Sequence, residues 1–128
     1  MTEKVLVRYI VNDVDAALAF YTEKLGFDLL AHPAPTFALV ERGALNLALS
    51  EPSGPGGAAQ TMPDGRRPEP GGWNRISLPV ADIEAETERL RAAGTTFRND
   101  IVTGKGGKQI LLDDPSGNPV ELFQAFNT

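Results

Sequence analysis

The stretch VNDVDAALAFYTEKLG, residues 11–26, decides the fold, because VADIEAETERLRAAG, residues 80–94, writes it a second time. Asp13 and Asp82 stand at corresponding points, 69 residues apart. A short carboxylate at such a point accepts from the free backbone N–H groups of a helix's first turn. After Asp13, the residues Val14, Ala17, Leu18, Tyr21 and Leu25 recur at helical spacing, and Ile83, Thr87 and Leu90 do so after Asp82. Gly26 and Gly94 close the two runs, where a left-handed residue usually ends a helix. The spacing predicts one helix over 13–25 and a second between Asp82 and Gly94.

Strand patterns flank both helices. KVLVRYIV (4–11) precedes the first, and FDLLA (27–31), TFALVE (36–41) and ALNLALS (44–50) follow it, the last two joined about Arg42-Gly43. NRISLPV (74–80) precedes the second, and TTFRNDI (95–101), KQILLDD (108–114) and PVELFQA (119–125) follow. DPSGN at 114–118 is turn chemistry. The chain therefore repeats one unit: strand, capped helix, glycine stop, strands. Between the copies, SEPSGPGGAAQTMPDGRRPEPGGW (50–73) is dense in Gly and Pro and reads as a linker, or as a loop draped over something.

Composition narrows the functional classes. With 128 residues there is material for one compact domain. No apolar run approaches the roughly 20 residues that span a bilayer, and the start lacks the long apolar core of a secretory signal, so a cytoplasmic location is expected. Zero cysteines exclude disulfides, thiolate ligands and cysteine nucleophiles. A net charge of −5 without a basic stripe argues against nucleic acid and anionic membrane as partners. The one histidine, His32 in AHPAP, reads as a solvated loop residue.

Alternation then sorts the strands into faces. Val5, Val7, Tyr9 and Val11 share a side, as do Leu45, Leu47 and Leu49, then Ile76, Leu78 and Val80, then Val120 and Leu122. These all-apolar sides are where the amphipathic helices must lie. The opposite sides are mixed: Leu6, Arg8, Ile10, Asn46, Arg75, Ser77, Glu121 and Phe123. Apolar walls with a few polar groups suit a ligand-binding concavity. Glu121 poses the sharpest question, since a carboxylate among strand residues needs a partner.

The motifs VNDVDAALAFYTEKLGF, LPVADIEAETERLRAAG and DDPSGNPVEL resemble those of the vicinal oxygen chelate superfamily. That group includes glyoxalase I, extradiol dioxygenases, fosfomycin-resistance enzymes and bleomycin-resistance proteins. The resemblance covers nearly the whole chain apart from the linker. It implies an α+β fold of two tandem βαβββ modules, with curled mixed sheets forming a cleft and helices on the convex side. As one domain over 1–128, the chain would comprise a first module 1–50, a linker 51–73 and a second module 74–128. Metalloenzymes of the group carry ligands, typically His or Gln and Glu, on the opening and closing strand of each module. Carried over through the quoted motifs, those points are Leu6, Asn46, Arg75 and Glu121. Leu6 has no donor atom, Arg75 is a permanent cation and Asn46 offers one weak carbonyl. Glu121 alone does not hold Zn²⁺, Fe²⁺ or Mn²⁺. No metal and no cofactor are therefore expected, and an Arg75–Glu121 ion pair, forked onto both carboxylate oxygens, is expected to fill the metal position.

Other catalytic machinery is not visible. Ser77 has no histidine beside it. GKGGK at 104–108 lacks the context and the GK[ST] ending of a phosphate loop and reads as a hairpin tip. Asp113-Asp114 belongs to the turn, and Phe20 and Tyr21 read as core. The expectation is a metal-free binder that sequesters an aromatic or cationic compound, resembling the bleomycin-resistance branch, with no catalytic residue and, as the resemblance implies, a homodimer. Phe37, Trp73, Phe97 and Phe123 offer stacking surfaces, and acidic charge would suit a cationic guest. The expected ligand-contacting set is Leu6, Arg8, Phe37, Asn46, Trp73, Arg75, Ser77, Glu121 and Phe123. The competing class is a glyoxalase-like or dioxygenase-like enzyme with an atypical metal site.

Overall fold

A computed structural model describes residues 3–52 and 57–126. The chain divides into two compact units, Met1–Pro70 and Gly71–Thr128. The first contains strand β1 (Val5–Ile10), helix α1 (Val14–Lys24), strands β2 (Asp28–Ala34), β3 (Phe37–Arg42) and β4 (Leu45–Ser50), and a short 3-10 turn at Gly57–Ala59. Its sheet runs β1-β4-β3-β2. β1 lies parallel to β4, and the other pairs are antiparallel. The second unit contains β5 (Ile76–Pro79), α2 (Ile83–Ala92), β6 (Val102–Thr103), β7 (Gly107–Asp113) and β8 (Pro119–Ala125), in the order β5-β8-β7-β6. β5 is again parallel to β8, so the same open mixed sheet and the same βαβββ order occur twice. This is the α+β repeat that the sequence implied.

The helices start where the caps require. Asp13 accepts from Ala16 N and Asp82 from Ala85 N, each at 3.1 Å. Such a cap contributes about 1 kcal/mol. The β8 residue Gln124 adds a second anchor for α2 by accepting from Ile83 N at 2.8 Å. Gly26 and Gly94 have positive φ, as the stop signals demand. The apolar strand sides are buried as alternation requires: Tyr9, Val11, Leu47 and Leu49 in the first unit, and Ile76, Leu78, Val120 and Leu122 in the second. Val5 and Leu6, at the start of β1, are both exposed. Phe20 and Tyr21 are core residues.

Two strand expectations need correction. TTFRNDI does not form a strand over 95–101; only Phe97 bridges to Leu112, and β6 is the two residues that follow Ile101. The physical reason is a change of bonding partner. Leu111 N donates to the Asn99 side chain rather than to a strand carbonyl, and the Arg98 side chain is committed to the turn after β7. The second correction concerns FDLLA, which extends through His32 and Pro33 to Ala34, with breaks in its pairing to β3. GKGGK is the expected hairpin tip. Gly107 within it is needed because a Cβ there would sit 2.2 Å from the Gln124 carbonyl oxygen.

The Gly/Pro-rich segment is not a bare tether among its described residues. Ala59 is buried and lines a cavity with β1, β3 and β4 residues of the first unit. Its residues 53–56 lie outside the described ones. No helix among the described residues is long and apolar enough to cross a membrane.

Candidate functional site

In the second unit, parallel pairing sets Ser77 directly across from Glu121. Both side chains emerge on the mixed face, and Arg75 emerges there two residues earlier. The Ser77 hydroxyl donates to Glu121 Oε2 at 2.8 Å. Arg75 donates to the other oxygen, Oε1, from Nε at 3.2 Å and from Nη2 at 3.0 Å. The expected ion pair is present, but not as a fork across both oxygens: Ser77 claims the second one. The carboxylate is 13% exposed and the guanidinium 29%, so the pair is half-sheltered from water. Its net stabilisation is small, since desolvation offsets most of the attraction. Its effect on a cation is larger.

The donor set does not fit a divalent metal. At roughly 4 Å and an effective dielectric near 20, a 2+ ion gains about 8 kcal/mol from one carboxylate and loses about as much to an adjacent guanidinium. Among the described residues, no group of three or more His, Cys, Asp or Glu side chains could hold an ion. His32 is exposed on β2.

The first unit corrects the correspondence between modules. Leu6 pairs with Asn46, and Arg8 pairs with Ala48. Arg8 is the repeat counterpart of Ser77, so by register the counterpart of Glu121 is Ala48 rather than Asn46. A methyl group is a still poorer ligand than an amide. Asn46 is half-buried, and its Oδ1 has no hydrogen-bond partner among the described residues. That oxygen is itself closed off from solvent, so it is a buried acceptor left unsatisfied rather than one open to a guest.

Arg8 and Phe37 come together. Arg8 Nη1 donates to the buried Ser50 hydroxyl at 2.9 Å, and its guanidinium lies 5.9 Å from the Phe37 ring centre. They share a cavity of about 260 Å³ with Thr36, Ser50, Glu51 and the turn Gly57–Ala59. Ser50 lies four residues after Asn46 on β4, so alternation puts it on the same mixed side. Ala59 and Glu51 carried no local signal, because they reach the cavity through a non-periodic segment.

Trp73 is 69% exposed. Its carbonyl accepts from Arg75 Nη1 at 3.3 Å, and its ring stacks on Arg98 at 4.8 Å. Arg98 in turn donates to Asp113 at 2.6 Å, the Gly72 carbonyl at 2.7 Å and the Gly117 carbonyl at 2.9 Å. Asn118, buried in the DPSGN turn, accepts from Gly71 N at 2.7 Å. An exposed indole is thus held by a rigid turn. Sequence reasoning missed Arg98 because its partners are 15 to 26 residues away. Phe123, half-buried on β8, pairs with Pro79 and Gln109.

One electrostatic feature recurs. Phe37, Trp73 and Phe97 each carry an arginine, with Arg91 at 5.1 Å from Phe97. A cation added to the far side of such a ring sits roughly 9–10 Å from the guanidinium. Repulsion of about 1.7 kcal/mol at an effective dielectric near 20 then offsets much of what a cation–π contact supplies.

The two sheets of like strand order, each with a capped helix after its first strand, agree with the family match. The chain belongs to the Glyoxalase/Bleomycin resistance protein/Dioxygenase superfamily, whose model matches residues 5–122. It is similar to TnmS3, an antibiotic binding protein from Streptomyces sp. CB03234, at 26% identity and TM-score 0.73 over 98% of both chains. A superfamily member from Sphaerobacter thermophilus DSM 20745 is 29% identical, with TM-score 0.75 over 97% of this chain and 98% of that one. The uncharacterized protein YwkD of Bacillus subtilis (strain 168) is 27% identical over 92% of this chain and 93% of its own.

Proposed function

We propose that this protein binds a small, partly aromatic molecule without a catalytic metal, as a glyoxalase/bleomycin-resistance type protein that sequesters its ligand. The observation that carries the reading is the Glu121 carboxylate, whose two oxygens are taken by Arg75 and Ser77. A group already satisfied by a cation and a hydroxyl is a recognition element rather than a chelator or a free base. The fixed, exposed Trp73 and the Arg8–Phe37 cavity supply apolar contact. The likeness to an antibiotic binding protein supports the class of ligand. The reading includes a homodimer, as the superfamily resemblance implies, and keeps the cytoplasmic location expected above; a one-subunit mass by light scattering would remove the dimer from it.

The test is a titration of Trp73 fluorescence, which reports from the one tryptophan in the chain. Against a panel of aromatic natural products, we expect saturable quenching by at least one compound, with that compound recovered unchanged. Turnover of a bound compound that a chelator abolishes would instead make the protein a metalloenzyme.

A further inference from the structure

We infer that the Arg8–Phe37 cavity takes a small planar aromatic anion and rejects organic cations; this rests on the binding reading above and reverses the charge expected from a net −5 chain. Arg8 lines the cavity, and among the described residues it forms no ion pair, unlike Arg75 and Arg98. Its one hydrogen bond, from Nη1 to Ser50, leaves guanidinium N–H groups for a planar acceptor. A carboxylate or a phenolate meets that geometry with two parallel hydrogen bonds, whereas an ammonium meets like charge. Phe37 supplies a wall for the ring, and the guanidinium beside it disfavours a second cation there.

The chain's net charge does not overrule this local arrangement. Most of the acidic groups are exposed, and salt screens them beyond about 8 Å, whereas Arg8 touches the guest directly. Glu51 is the exception, since it lines the same cavity. It subtracts from anion affinity, and its neutral variant separates its contribution from that of Arg8. The volume of about 260 Å³ limits the inserted part to one or two fused rings.

The experiment compares 2-naphthoate with 2-naphthylmethylammonium, which differ in charge at one position, by calorimetric titration of the full chain. We expect naphthoate to bind at least roughly tenfold more tightly, as a charge-assisted pair at a sheltered site provides. Arg8→Gln should reduce that preference to about threefold or less, and Glu51→Gln should strengthen naphthoate binding. Arg8→Lys, which retains the charge, should keep part of the preference, and it guards against a misfolded Arg8→Gln. Equal or tighter binding of the ammonium would overturn the inference while leaving the protein a binder. So would a preference unchanged in a folded Arg8→Gln. Failure of both probes would overturn the inference, and the binder reading would then stand or fall on the natural-product titration.

Discussion

Replacing Arg98 by Ala is expected to lower stability by about 2–4 kcal/mol, toward the lower side of what removing one partner of a buried pair costs. At a urea slope of about 2 kcal/mol/M, the unfolding midpoint falls by roughly 1–2 M. The guanidinium is 18% exposed and its partner Asp113 23%, so water does not readily replace the lost contacts. Three oxygens lose a charged donor at once: the Asp113 carboxylate and the carbonyls of Gly72 and Gly117. Each such bond matters more than a neutral one, and the acceptors remain behind. The same substitution removes the support under the Trp73 ring. Indole fluorescence anisotropy should therefore fall in the folded variant, and any aromatic ligand that quenches Trp73 should bind more weakly. Arg98→Lys restores one point donor but not the planar set, so it should recover less than half of the loss. An unchanged midpoint and anisotropy would show that Trp73 is fixed by something else.

Tyr21→Ala is expected to cost about 3–5 kcal/mol, the range for removing a large buried aromatic. Tyr21 is 0% exposed. Its ring meets Tyr9, Phe20 and Phe27 edge-on, with centres 6.5, 5.3 and 5.5 Å apart. Each edge-to-face pair adds about 0.5–1.5 kcal/mol beyond burial, and the void left behind cannot close without moving α1 from its sheet. Leu90 is the repeat counterpart in α2 and is equally buried. Chemical unfolding of the variant checks the figure; a loss below about 1 kcal/mol would mean that the cluster repacks around Ala.

These two residues mark what a single sequence reveals. Tyr21 was legible because a helix repeats its buried stripe locally, and Asp13 and Gly26 bracket that stripe. Strand alternation, with its period of two, put Arg75, Ser77 and Glu121 on the mixed faces, and the superfamily resemblance implied that Arg75 and Glu121 are neighbours. Arg98 was not legible. Its surroundings read as strand, yet its partners belong to a loop before β5 and a turn before β8, which only the folded chain brings close. Asn46 shows a subtler limit. Alternation gave its face correctly but not its register, and the pairing of Arg8 with Ala48 moved the correspondence by two residues. Ala59 was hidden for a third reason: a Gly/Pro-rich segment has no period, so nothing local says which residue turns inward.

The most direct test is elemental analysis of the purified protein, as isolated and after incubation with Zn²⁺, Fe²⁺, Mn²⁺ and Ni²⁺ followed by desalting, for the natural chain and for Glu121→Gln. A guanidinium seated on the single available carboxylate predicts no stoichiometric metal in either protein under any of these conditions. One equivalent retained by the natural chain and lost from Glu121→Gln would contradict that prediction and make Glu121 a metal ligand.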